Sequence, residues 1–126
     1  MTTSPSLNRP LLALAGLCGA TGVGLAAAAS HGGSADLAIA ANFLLFHAPV
    51  LIGLSLLPRS RWVLASAAVM IVGLALFAGD LTVRSYLAHA LFTMAAPLGG
   101  TALILGWLLL AATALFGGRG DRPASK

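Results

Sequence analysis

The chain alternates long apolar runs with short polar breaks. Residues 11–30, 37–57 and 62–81 each come close to the ~20 helical residues that a ~30 Å hydrocarbon core requires at 1.5 Å per residue. A fourth run, residues 86–116, is too long for one straight span. The sequence Pro97-Leu98-Gly99-Gly100 interrupts it, and a proline inside a helix lacks the N–H of the hydrogen-bond ladder. The pattern predicts a short interfacial or re-entrant segment over residues 86–95 and a true span over residues 96–116. The breaks at residues 31–36 and 58–61 are short. Four spans so joined predict a single membrane domain over residues 1–126, an all-α integral membrane protein folded as an up-down-up-down four-helix bundle.

Composition narrows the class. Hydrophobic residues make up 59% of the chain and charged residues 8%, against about 25% charged in a soluble domain. Mean hydropathy is +0.97. A soluble globular domain, a disordered chain and a disulfide-stapled fold are excluded, the last because Cys18 is the single cysteine. The pI near 10.8 arises from few groups that flank apolar runs. That pattern suits lipid headgroups and topology control, not nucleic acid.

Charge also predicts orientation. Arg9, Arg59, Arg61, Arg119, Arg122 and Lys126 fall on one side of the four spans, and Arg84 alone on the other. The positive-inside rule then predicts a multi-pass protein of a bacterial inner (cytoplasmic) membrane with both termini cytoplasmic. The rival reading of the N-terminus is a signal peptide, with Arg9 as its basic region and Ala27-Ala28-Ala29 as a cleavage motif. The length of the run and its glycines favour a packed span.

Small residues recur at helical spacing. Gly16, Ala20, Gly24 and Ala28 form successive small-xxx-small steps, and Ala102 and Gly106 repeat the spacing in the last span beside Gly99 and Gly100. Such stripes let another helix backbone lie close. They serve packing within the chain, or an interface with a second copy or another subunit. Trp62 is placed as an interfacial anchor and Trp107 as a packing residue.

Few polar residues fall at membrane depth. His47 lies near the middle of the second span, so it is expected to face the bundle interior, neutral and hydrogen-bonded. Pro49 leaves the carbonyl of Leu45 free as a candidate acceptor for an imidazole N–H on a nearby helix. The alternatives for His47 are an interhelical hydrogen bond, a proton relay, a metal or haem ligand, or a polar contact to a quinone or lipid. Asp80 closes the third span with Arg84 four residues on, the spacing of an i,i+4 ion pair. With Asn42, His31 and His89 they are candidates for a polar cap over the outer mouth.

Four segments, taken together, resemble one family. They are residues 22–31, rich in Gly and Ala and ending in His31; Phe46-His47-Ala48; Leu76-Phe77-Ala78-Gly79-Asp80-Leu81; and Ala96-Pro97-Leu98-Gly99-Gly100 with Gly106-Trp107. The family is that of the small four-helix membrane proteins of unknown function typified by bacterial YgdD and a mitochondrial relative (domain of unknown function four-two-three). The resemblance covers about residues 11–116 and implies architecture and location rather than activity. The chain departs from it in a shorter first connector and in Phe43-Leu44 where Tyr-Gln is common.

No zinc-protease, CxxC, nucleophile-elbow or phosphate-loop motif occurs. The three histidines differ too much in depth to share one metal. No enzyme activity, metal or cofactor is expected. Three functions remain open: a structural or accessory subunit of a larger membrane complex or homo-oligomer embedded in membrane lipid, a small carrier or channel along His47 and Asp80, and a lipid- or quinone-binding module at the Pro97 break.

Overall fold

The structure, a computed structural model, describes residues 6–116. Arg119, Arg122 and Lys126, half of the cationic side in the topology argument, lie outside the described residues. Four helices form: α1 (Arg9–Gly32), α2 (Ala35–Leu56), α3 (Arg61–Leu87) and α4 (Ala95–Phe116), with no strand among the described residues. All four are long and apolar enough to cross a membrane.

Local signals set the helix ends. Asn8 caps α1 by accepting from the Leu11 amide, with Pro10 in the first turn, where a missing N–H costs nothing. Gly33 ends α1 in the left-handed region at φ 72°, a conformation that glycine adopts without a Cβ penalty. Ser34 then caps α2 through its hydroxyl. The first connector is therefore only Gly33 and Ser34, and His31 sits in the last turn of α1, not in a loop. Ser60 caps α3 in the same way.

The third span differs from its sequence-based bounds. It continues through Asp80 and Arg84 to Leu87 and ends at Ala88, which has φ 56°. The two charges do not stop the helix because they neutralise each other one turn apart. What precedes α4 is an irregular connector over residues 88–94, not a segment beginning at residue 86. Pro97 lies in the first turn of α4, among the amides with no intrahelical partner, so it starts the span rather than breaking one.

α1 packs along α2, α2 along α3, and α3 along α4. α2 and α3 are the central pair and contribute most of the buried residues. The core joins Leu11 and Ala15 of α1, Leu44, Leu51 and Leu54 of α2, Met70, Leu74 and Leu81 of α3, and Leu103 of α4. Outward faces are equally apolar, with Leu17, Phe46, Ile104 and Leu108 exposed where lipid is the solvent.

The α3–α4 contact is the closest in the molecule. A Cβ added to Gly99 would lie 2.5 Å from the Phe77 backbone N and 2.8 Å from the Gly73 carbonyl oxygen. One added to Gly73 would lie 2.9 Å from the Gly99 oxygen. Two turns along, Gly106 leaves room for Met70, and the buried Ser66 hydroxyl donates to the Gly106 carbonyl at 2.8 Å. Gly100 meets only the Phe77 ring at ordinary contact distance.

Candidate functional site

Two polar clasps hold the bundle at membrane depth. The first is built on His47, which is 6% exposed. Its Nδ1 lies 2.7 Å from the Phe43 carbonyl, one turn earlier in α2. Its Nε2 accepts the indole N–H of Trp107 of α4 at 3.2 Å. The indole N–H can only donate, so Nε2 must carry the lone pair and Nδ1 the proton. The geometry thus fixes one neutral tautomer and occupies both ring nitrogens. Phe43 stacks beside the imidazole and meets Phe77 of α3 at 4.4 Å between ring centroids. One cluster so joins α2, α3 and α4. The acceptor of the Nδ1 proton is the Phe43 carbonyl in the same helix, and among the described residues no imidazole of another helix donates to the Leu45 carbonyl freed by Pro49.

Trp107 was read from sequence as packing alone, yet depth arithmetic points to it. α2 and α4 start at the same end of the bundle. His47 is twelve residues past Ala35 and Trp107 twelve past Ala95, about 18 Å in each case.

The second clasp is built on Asp80, which is fully buried. Arg84 Nε donates to Oδ2 at 2.7 Å, and the Leu91 amide of the connector donates to Oδ1 at 2.7 Å. Both carboxylate oxygens are used, so the charge is held by an ion pair and a backbone donor. The result ties the connector over residues 88–94 to the end of α3.

The wider cap does not assemble. Asn42 is exposed beside Ser30 in a small groove between α1 and α2, and makes no side-chain hydrogen bond among the described residues. His31 is exposed at the end of α1, and the His89 ring lies against the neighbouring Ala90 carbonyl. Neither joins Asp80. No buried side-chain nitrogen or oxygen lacks a partner among the described residues, and no cluster of metal-ligating groups occurs there.

The small-residue stripe of α1 also lies elsewhere than the core. Gly19 and Gly22 face α2, Gly22 tightly against Leu44 and Leu45. Among the described residues nothing lies within 4 Å of a Cβ added to Gly16 or Gly24, and Ala20 between them is exposed.

Four antiparallel apolar spans, two intramembrane clasps and short connectors define a small multi-pass helical membrane protein. A family model described as protein of unknown function (DUF423) matches residues 18–100, and the chain belongs to that family. No curated protein and no solved structure matches it.

Proposed function

We propose that the protein is a structural or accessory subunit that packs against a larger membrane complex. The observation that carries this reading is the outward stripe Gly16, Ala20, Gly24, which the described residues leave uncovered while the helices pack through Gly19, Gly22, Gly99 and Gly106. Close backbone approach is the main source of helix association in lipid, where apolar burial alone gives little. The clasps support the same reading. His47 and Asp80 have no free polar atom to hand a proton or ion onward. A carrier or channel along them has less support, and the reading assigns the chain no catalytic step.

Replacing Gly16 and Gly24 by Leu fills the stripe without touching the core. Tagged protein gently extracted from its native membrane is expected to bring down a stoichiometric partner, and the double variant to lose it while remaining inserted. Retention by the variant, or a wild-type chain that purifies alone, would overturn the reading. Six of the seven cationic side chains on one side support a bacterial inner membrane with both termini in the cytoplasm. A cytoplasm-active reporter fused after residue 126 is expected to be active, and a periplasm-active one silent. The reverse pattern would contradict it.

A further inference from the structure

Asn42 is the only carboxamide side chain within the four spans, and the bundle does not use it. It lies seven residues past Ala35 in α2, a helix of 22 residues and so about 33 Å long. Its Cα therefore sits about 9 Å inside a ~30 Å hydrocarbon core. The side chain is too short to reach back to the headgroups as lysine or arginine does. Ser30, across the groove, gives its proton to the Ala26 carbonyl, and no group among the described residues bonds the amide. Two donor hydrogens and an acceptor oxygen thus face hydrocarbon, which supplies partners for neither.

The surroundings admit a helix. The groove beside Asn42 is walled by Ala26 and Ala29 of α1 and Ala38 and Ala41 of α2, so no bulky side chain screens the amide there. Ala38, Pro49 and Gly53 share its exposed face of α2, four residues before it and seven and eleven after. Among the described residues nothing lies within 4 Å of a Cβ added to Gly53. Small residues of this kind let a second backbone come close.

The amide itself selects the occupant. A carboxamide both donates and accepts, so its complement is another carboxamide. Copies of one chain insert in the same orientation, and a two-fold axis that relates them runs along the membrane normal. Each residue near that axis then meets its own counterpart at its own depth. We infer that the protein pairs with a second copy through the outward face of α2, Asn42 and the partner's Asn42 exchanging hydrogen bonds, with the exposed Phe46 packed beside them. A single asparagine in an otherwise apolar helix interface fixes register and partner number in the same way. The pairing uses α2 and does not need the Gly16, Ala20, Gly24 stripe of α1.

The test uses the full-length chain in phosphatidylcholine vesicles at high lipid excess. Cys18→Ser removes the native thiol and keeps a donor for the Leu44 carbonyl. In that background Ala38→Cys and Gly53→Cys are expected to give a disulfide-linked homodimer on oxidation. Val72→Cys and Ile104→Cys, exposed on other helices, are not. Asn42 makes no bond within the bundle, so Asn42→Leu leaves the fold intact. It should weaken both cross-links and raise the dimer dissociation constant, read by energy transfer between dye-labelled copies, about tenfold. Asn42→Gln keeps the carboxamide and should retain the dimer. A chain that stays monomeric, a dimer indifferent to Asn42→Leu, or cross-links as strong from Ile104→Cys as from Ala38→Cys would overturn the inference. So would cross-links from Ala38→Cys in the native membrane that reach only another protein.

Discussion

Replacing Gly99 by Ala is expected to force α3 and α4 apart. The new methyl would meet the backbone N and Cα of Phe77 at 2.5 and 2.9 Å and the Gly73 oxygen at 2.8 Å. Backbone cannot swing aside as a side-chain end can, so the helices must separate. Overpacking of this kind typically costs about 1–3 kcal/mol. Here the separation also stretches the Ser66–Gly106 and Trp107–His47 bonds, so the upper end is expected. Unfolding in mixed micelles measures it. Gly24→Ala is the control of opposite sign, because nothing stands within 4 Å and alanine is the better helix former by about 1 kcal/mol. Equal effects at the two positions would show that the α3–α4 approach is not the tight one.

Replacing Asp80 by Ala should release the connector over residues 88–94. The change strands the Leu91 amide and leaves Arg84 without its partner at the edge of the hydrocarbon. Removing one member of a buried pair costs about 3–5 kcal/mol. Arg84 is partly exposed and can reach headgroups, which lowers the expectation to about 2–3 kcal/mol. Asp80→Asn should be milder, since the amide oxygen can still accept from Leu91. Hydrogen exchange reads the difference at the Leu91 amide, protected in wild type and in the Asn variant and fast in the Ala variant. Slow exchange at Leu91 in the Ala variant would exclude the clasp.

What could be read in advance divides along physical lines. The spans were legible because lipid imposes a length and excludes charge, and the first turn, expected over residues 31–36 and found at Gly33-Ser34, because glycine and serine cluster there. The Asp80–Arg84 pair was legible because it depends only on spacing along one helix. Facing was not. Each helix is apolar on all sides, so no polar stripe marks which face is buried. Gly16, Ala20 and Gly24 therefore looked as fit for the core as Gly19 and Gly22, which take it. Asn42 and His31 looked able to join Asp80 because depth alone was available, without rotation about the helix axis. Trp107 was missed as the partner of His47 because contact between helices that are not chain neighbours leaves no local signal. Only the equal depth of the two residues, counted along α2 and α4, carried the information.

Both clasps rest on the same idea, that polar groups inside this bundle fasten helices and move nothing. The His47 ring tests it most directly. Nitrogen-detected NMR of labelled imidazole and indole, on the folded protein in lipid, reports which ring nitrogen holds the proton and what it faces. The expected result is a single neutral tautomer with the proton on Nδ1, Nε2 accepting, and scalar coupling across the hydrogen bond to the Trp107 indole N–H. A ring protonated at Nε2, or one whose nitrogens exchange with water, would place His47 on a polar path and contradict the structural role.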